Sequence, residues 1–537
     1  MSATLVDVLV VGAGPVGLFC ANELARHGLS LAIVEQKSTL SDKSKALGIH
    51  IRTLDVLADC GFLEEVLQQG QKIDGLIFKS FEKELINASF ADITANYPYL
   101  IALPQDKTEK ILVQGLQKKG FEVQWNTELL RIEQNTNTVK ATVCQNGEQK
   151  QIRANWIIAC DGSHSTLRKL VYAGFIGGQF KESWWLADLS LDWQLPENKM
   201  VFFISKEGPL ACFPMGNKRY RLVMTAPQHC ENKALTFKDI EQVFFERCSE
   251  KASLSNPVWL SAFGISHRQI QHYRYNRVFF AGDAAHIHSP MGGQGMNTGI
   301  QDAYNLVWKL ALVHKKRAGE SLLDSYQCER FPVARKVLKK TGIMTSLVTL
   351  KNPLLIALRN LLLQTITAFK WTKNFFLTDL AELKISYAKS PVVAVLGQKT
   401  AFKAGEFLSD FWLTNALTQE KRSLQQITQG TKHHLFLFEG LTNANRQSLL
   451  ETRALLNKQF DTLIETHIVS GDFPTDSKAS LLWVDEEKTL HNQYGIKEPT
   501  ALLLRPDKYI GLTQSPVDKD ALLRQLEKDY INNFSVR

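Results

Sequence analysis

Between Val278 and Asn297 the chain reads VFFAGDAAHIHSPMGGQGMN, and these residue types can build a cofactor site. One carboxylate, Asp283, follows a short apolar run and Gly282. Gly292, Gly293, Gly295 and Gly299 surround Asn297. Glycine lets backbone approach a flat or charged ligand closely. Amides at a helix start hold an anion or a partly negative oxygen. A carboxylate at a strand's end lies where open α/β sheets bind ligands. These residues predict a bound cofactor and leave its identity open.

Two further motifs narrow it. Gly12-Ala13-Gly14-Pro15-Val16-Gly17 stands between the strand VDVLVV and the helix LFCANELARHG. Gly12 permits a tight turn, Gly14 lets backbone reach a pyrophosphate, and Gly17 allows a helix to pack on a strand. Glu35, followed by Gln36, ends the next strand, where an acceptor for ribose hydroxyls belongs. An acid there argues against a 2′-phosphate, but it does not separate FAD from NAD. Farther on, Cys160-Asp161-Gly162 follows the apolar run WIIA, and Arg168 lies seven residues after Asp161. Alone, that pair reads equally well as a turn with a surface charge.

Taken together and in this order, the three motifs resemble those of the flavin-dependent aromatic hydroxylases, single-component monooxygenases. They anchor residues 4–312. The segment LLLRPDKYIGLT, Leu502–Thr513, resembles the end of the longer subgroup, which includes phenol, pentachlorophenol, polyketide and rifampicin monooxygenases. The resemblance implies a Rossmann-like FAD-binding domain with an inserted β-sheet substrate domain and a thioredoxin-like C-terminal domain. It assigns Gly12, Gly14, Pro15, Val16, Gly17, Glu35 and Gln36 to the ADP half of FAD. It assigns Gln105 and Lys45 to the pyrophosphate region, and Gly282 and Asp283 to the ribityl or pyrophosphate side. Backbone amides near Gly293, Gly295, Met296 and Asn297 would face the flavin's pyrimidine oxygen. Asp161, supported by Arg168, would stand where NADPH or NADH approaches. The backbone carbonyl of Pro290 would lie near the reacting part of the pocket. Lys45 departs from the arginine of many relatives; lysine keeps the charge and loses the planar fork. The implied reaction uses O2 and a flavin hydroperoxide to hydroxylate a phenolic or polycyclic aromatic small molecule. Epoxidation or Baeyer–Villiger oxidation of a polyketide or antibiotic uses the same apparatus, and an FAD-binding scaffold or sensor is the non-enzymatic reading. His50, Tyr220, His267, His286 and His288 are candidates for a base, and none is assigned.

The elements that must position these residues follow an α/β pattern. Residues 4–36 read as strand, glycine turn, helix and strand. Residues 73–104 alternate as antiparallel strands, residues 108–119 form a helix, and Asn146-Gly147 marks a hairpin turn. The domains expected are an FAD-binding first part over 1–172, with substrate-domain strands near 73–104; a β-sheet substrate domain over 173–275; the second FAD-binding part with a helical linker over 276–395; and a C-terminal domain over 396–537. In the inserted sheet, Trp184, Trp185, Phe202, Phe203, Phe213 and Tyr220 divide between pocket lining and ordinary core. The C-terminal domain has strands at HHLFLFEG, THIVSG, KASLLWVD and ALLLRPDKYIGLT and helices at 443–460 and 519–529.

Composition sets the limits. The chain has 537 residues, 44% of them apolar, which fits two or three globular domains. A net charge of +9, from 63 basic and 54 acidic residues, suits attraction of an anionic nicotinamide cofactor and forms no stripe for nucleic acid. None of the eight cysteines forms a C-x-x-C pair, so no metal site or dithiol pair is expected, and scattered thiols suit the cytoplasm. The C-terminal domain contains no cysteine, which points it toward packing or dimerisation. The most apolar region, Ile343–Leu377, is interrupted by charges and reads as amphipathic helices rather than a bilayer span.

Overall fold

The structure is a computed structural model that describes residues 4–41, 44–80, 82–227, 234–440, 446–473 and 482–530. Cys230, the start of the KASLLWVD run and residues 443–445 of the expected helix lie outside the described residues. The chain forms two compact units: Met1–Ala25, Ser30–Ala303 and Pro332–Leu383 in the first, and Arg26–Leu29, Tyr304–Phe331 and Lys384–Arg537 in the second.

The first unit is built on parallel strands. Thr4–Val11 lies between Leu31–Val34 and Glu148–Ala159, and Val278–Phe280 pairs with the far side of Glu148–Ala159. Val8, Leu9, Val10, Ile157, Ile158 and Phe279 are fully buried. Such continuous apolar runs mark parallel strands covered on both faces. The register matters for function. Val11 stands opposite both Val34 and Ala159, and Ala159 stands opposite Phe280. Four strands therefore end in one row, and the three motifs with Glu35 begin there. Asn146 and Gly147 have φ of 52° and 89°, the backbone a two-residue hairpin with the sheet's own twist requires.

A second sheet of eight strands roofs this framework. It contains Phe175–Trp193, Lys199–Ser205, Gly208–Gly216 and Arg219–Thr225, with Gly75–Ser80 and Lys83–Ser89 at one end. Gly75–Ser80 pairs parallel to Lys199–Ser205, setting Phe78 opposite Phe202. The expected 108–119 helix spans Gln105–Lys118. One long strand, Ala252–Ile270, had no counterpart in the sequence reading. Its run ASLSNPVWLSAFGISHRQI has no apolar block and includes Pro257. It pairs with Phe175–Trp193 on one side, and on the other, among the described residues, meets only His286–Ile287. A largely edge strand needs no continuous apolar sequence and tolerates proline.

The second unit has its own eight-stranded sheet, with His433–Phe438 near the centre beside Ile464–Ser470 and Thr500–Leu504. The ALLLRPDKYIGLT segment forms two antiparallel strands, Thr500–Leu504 and Ile510–Ser515. Helices cover Arg446–Phe460 and Lys519–Tyr530. Among the described residues no helix is long and apolar enough to cross a membrane.

Candidate functional site

At the strand ends, the glycine turn is fixed by contact as much as by backbone angle. Gly12 has φ of 101°, and a Cβ on it would lie 2.4 Å from the carbonyl oxygen of Cys160. A Cβ on Gly17 would lie 1.9 Å from the Gly12 oxygen. Gly14 differs: a Cβ there meets nothing within 4 Å. Pro15, with its φ already helical, opens the helix Pro15–Arg26. The Glu35 carboxylate accepts from the amide of Ala13 at 2.8 Å and from that of Lys37 at 3.1 Å. A carboxylate offers about four acceptor positions, so these two bonds hold the loop and leave capacity for a ligand.

The Asp161 and Asp283 loops are tied together by Arg168. Its guanidinium donates to the Ser163 oxygen at 2.6 Å and the Ala284 oxygen at 3.2 Å, and stacks 3.9 Å from the Phe175 ring centre. Arg168 thus braces both motifs rather than lining the space between them. Asp161 Oδ2 accepts from the Leu167 amide at 3.1 Å. Its Oδ1 is shielded from solvent with no hydrogen-bond partner. Burial raises the Asp161 carboxyl above the usual carboxylate range. Asp283 exposes its side chain to a cavity enclosed by protein, and that enclosure raises its carboxyl against the pull of His286 and Lys45. Gly282, with φ of 59°, packs on Val16, as does Gly299 of the helix Gly295–His314.

The side chain of Asn297 organises the glycine loop. It is fully buried, accepts from the His50 amide at 2.9 Å, and donates to the oxygens of Gly48 at 2.9 Å and Gly293 at 2.8 Å. The helix begins at Gly295, so its first-turn amides have no intrahelical acceptor. Gln105 does similar work nearby: its Oε1 accepts from the Ala46 amide at 3.0 Å, and its Nε2 donates to Glu109 at 2.7 Å. Asn297→Ala should leave three backbone groups unpaired and cost roughly 2–4 kcal/mol, read as a shift in the urea midpoint.

All of this surrounds one cavity of about 710 Å³. Gly14, Pro15, Val16, Gln36, Lys45, Gln105, Asp161, Asp283, Pro290, Gly293, Gly295 and Met296 line it. Gly12, Gly17, Glu35, Arg168, Gly282 and Asn297 do not reach its wall; they hold the loops that do. Alternate residues of the roofing sheet close the other side. Leu76 and Phe78, Met200 and Phe202, and Trp259, Ser261, Phe263 and Ile265 all face inward. This is the two-residue period of a strand. Phe78 stacks on Phe202 at 4.5 Å, and Phe202 meets Phe213 edge-on at 5.7 Å. Of the six aromatic residues considered from sequence, Phe202 and Phe213 line the cavity, whereas Trp184, Trp185, Phe203 and Tyr220 are core.

Arg221 is a charged cavity residue the sequence reading missed. It is buried, binds Asp188 through two bonds of 2.8 and 2.7 Å, and donates to the Lys45 oxygen at 3.2 Å. The signal lay in RYRLVM: Arg221 shares the parity of cavity-facing Val223, while Tyr220, Leu222 and Met224 share the opposite core. A charge in phase with a buried face requires a partner. Of the five base candidates, His50 and His288 line the cavity. Burial lowers both to about 4, so both are neutral at neutral pH. His286 is 2.7 Å from Asp302 beneath the loop, His267 packs on Phe180, and burial pushes Tyr220 up to about 12.

Comparison with known proteins gives the family. The FAD binding domain family matches residues 5–341. Rifampicin monooxygenase of Streptomyces venezuelae is 32% identical over 405 residues, 73% of this chain and 82% of that protein. The 6-methylpretetramide 4-monooxygenase of Streptomyces rimosus is 29% identical over 515 residues, 94% of this chain and 90% of that protein. Among solved structures, the anhydrotetracycline hydroxylase OxyS of Streptomyces rimosus superposes with a TM-score of 0.78 at 27% identity, covering 98% of this chain and 99% of that one.

Proposed function

The chain belongs to the FAD binding domain family and is an FAD-dependent monooxygenase, and from that premise we propose that it hydroxylates a bulky, polycyclic aromatic substrate at the cavity between the Pro290–Met296 loop and the roofing sheet. One observation carries the proposal. A single cavity is lined on one side by Gly14, Gln36, Asp161 and Asp283, and on the other by Phe78, Phe202, Phe213 and Phe263. Sites for apolar ligands combine such aromatic walls with a few convergent polar groups. Relatives named for 6-methylpretetramide and anhydrotetracycline match 94% and 98% of this chain, against 64% for the one named for pentachlorophenol, a single ring.

The residues present fit FAD. The open cradle above Gly14 admits a phosphate, and the unpartnered Oδ1 of Asp161 awaits a donor. Bound FAD supplies two-electron oxidation of NADPH or NADH and activation of O2; the protein supplies binding, orientation and electrostatics. In this reading Glu35, Gln36 and the glycine turn hold the ADP half, while Lys45, Gln105 and Asp283 bound the middle. The first-turn amides at Met296 and Asn297 stabilise negative charge on the pyrimidine oxygen. Asp161 borders the approach of the nicotinamide. The Pro290 carbonyl borders the substrate, and the aromatic roof keeps water from the reacting groups. Without a cysteine in 396–537, the C-terminal domain is left for packing or self-association.

The test is a panel of dissolved aromatics, from single phenols to fused-ring phenols, with the purified flavoprotein. NADPH and NADH oxidation should rise with the fused-ring members, and the product should gain one oxygen. No retained flavin, or nicotinamide oxidation indifferent to every aromatic, would sink the proposal. Asp283→Ala should weaken FAD binding about 10–100-fold, the loss of one hydrogen bond involving a charged group. Flavin absorbance after gel filtration reads that loss, and unchanged occupancy would remove Asp283 from the cofactor set.

A further inference from the structure

We propose that the helices Pro353–Ala368 and Lys370–Leu380 form a docking surface for an anionic lipid bilayer, beside which apolar aromatic substrate enters the cavity. The outer face of these helices is apolar. Leu354, Leu358, Leu361, Phe369 and Trp371 are 80%, 52%, 58%, 61% and 71% exposed. Leu354, Leu358 and Leu361 stand at the i, i+4, i+7 spacing of one helix face, and exposed apolar faces of this kind mark interaction sites. The surrounding charge is mostly basic. From Pro332 to Leu380 the sequence contains eight lysines and arginines and one acid, Asp379, which pairs with Lys336 and Lys340. Lys351 and Lys370 are exposed at the ends of the first helix, and Arg335 and Lys339 continue the basic character onto the preceding helix. Leucine and tryptophan flanked by lysine describe a helix that lies in a membrane interface. Basic residues there are drawn to anionic headgroups.

The same helices have an inner side. Leu377 and Leu380 are buried in one core with Phe78, Leu85 and Ile86, and Phe376 and Leu380 line the cavity. One helical layer therefore carries the exposed apolar face outside and a cavity wall inside. That is where a substrate dissolved in a bilayer would be received. A second copy of this chain fits the face less well. A two-fold interface sets a patch against itself, and the exposed Arg335, Lys339, Lys351 and Lys370 would then be set against like charges. Because no described helix can span a bilayer, the contact is peripheral. The entry of substrate rests on the monooxygenase proposal; the docking surface does not.

The experiment uses full-length, FAD-loaded protein sedimented with vesicles of phosphatidylglycerol and phosphatidylcholine, or of phosphatidylcholine alone. Binding should be at least about tenfold tighter to the anionic vesicles and should weaken with salt. The double variant Leu358→Ser/Trp371→Ser should lose about tenfold per side chain. Lys351→Glu/Lys370→Glu should lose about tenfold or more. Phe245→Ser, at an exposed aromatic on another helix, should bind as the parent does. Thermal midpoints should be unchanged throughout, and oxidation of a dissolved fused-ring phenol should persist while oxidation of a vesicle-borne aromatic falls. Failure to bind anionic vesicles, or equal binding by the double variants, overturns the docking surface even if aromatic oxidation is normal. Self-association abolished by the same variants, without vesicle binding, assigns the face to a second copy and also overturns it. Vesicle binding without oxidation of any aromatic supports the surface and overturns the entry route along with the monooxygenase proposal.

Discussion

Gly14→Val should fold normally and fail to retain FAD. The three glycines of the first motif look alike in sequence, yet their surroundings differ. A Cβ at Gly12 or Gly17 collides with backbone at 2.4 and 1.9 Å, so substitution there should disrupt the turn itself. At Gly14 no protein atom lies within 4 Å of the added carbon, and the backbone is outside the left-handed region. Gly14 also precedes Pro15, a position held to extended conformations that valine favours. The valine side chain would occupy cavity space that a pyrophosphate must enter. Losing two charge-assisted hydrogen bonds at about 1.5–3 kcal/mol each weakens binding by about two to four orders of magnitude. The decisive pair of measurements is flavin content after gel filtration and thermal midpoint of the apoprotein. A colourless protein with the parent's midpoint, beside an unstable Gly17→Val, is the expected pattern. Full flavin content in Gly14→Val would remove the pyrophosphate from this turn.

That contrast shows how far the sequence could be read. The apolar runs ending at Val11, Val34, Ala159 and Phe280 are strong strand signals, and the residues after them are the three motifs and Glu35. Their meeting in one register row requires pairings between strands more than 100 residues apart, which local periodicity cannot specify. The family resemblance provided that step. Arg168 was legible as part of a motif, but not as the brace between Ser163 and Ala284, because the latter lies 116 residues away.

Two things escaped for physical reasons. Ala252–Ile270 carries polar and small residues because most of its length borders only one partner strand, so it lacks the pattern that announces a buried strand. It nevertheless brings Trp259, Phe263 and Ile265 to the cavity. Arg221 carries a charge, and charged strand residues ordinarily face solvent. Its burial is possible only because Asp188, on the neighbouring strand, meets it with two hydrogen bonds. Such a pairing appears once register is known.

In the second unit, Glu329→Gln should lower stability by about 3–5 kcal/mol, the cost of leaving a buried charge without its partner. Glu329 is fully buried and bound by Arg505 at 2.7 and 2.9 Å and by Lys309 at 2.7 Å; Asn305 and Ser390 donate to it as well. Arg505 also grips Asp507, the acid of the RPD sequence that resembled the longer subgroup. That segment's charges are thus accounted for by an internal ion cluster. Two cations and two anions balance in it, so removing Glu329 leaves one excess positive charge in a space without solvent. The balance gives a sharper test. Lys309→Met added to Glu329→Gln restores neutrality, since Arg505 and Asp507 remain paired, and the double variant should be more stable than Glu329→Gln alone. A double-mutant cycle by urea unfolding measures this coupling. The pH dependence carries the same information. Burial pushes the Glu329 carboxyl up, but Arg505 and Lys309 pull it further down, leaving it well below the usual 4.5. A carboxylate lowered on folding contributes its full stability above its unfolded value and loses it as pH falls toward the folded one. The parent should therefore lose stability below about pH 4.5 more steeply than Glu329→Gln, which has no proton to take up there. Equal acid sensitivity, or a double variant weaker than the single by the sum of both losses, would show that charge balance does not hold this cluster together.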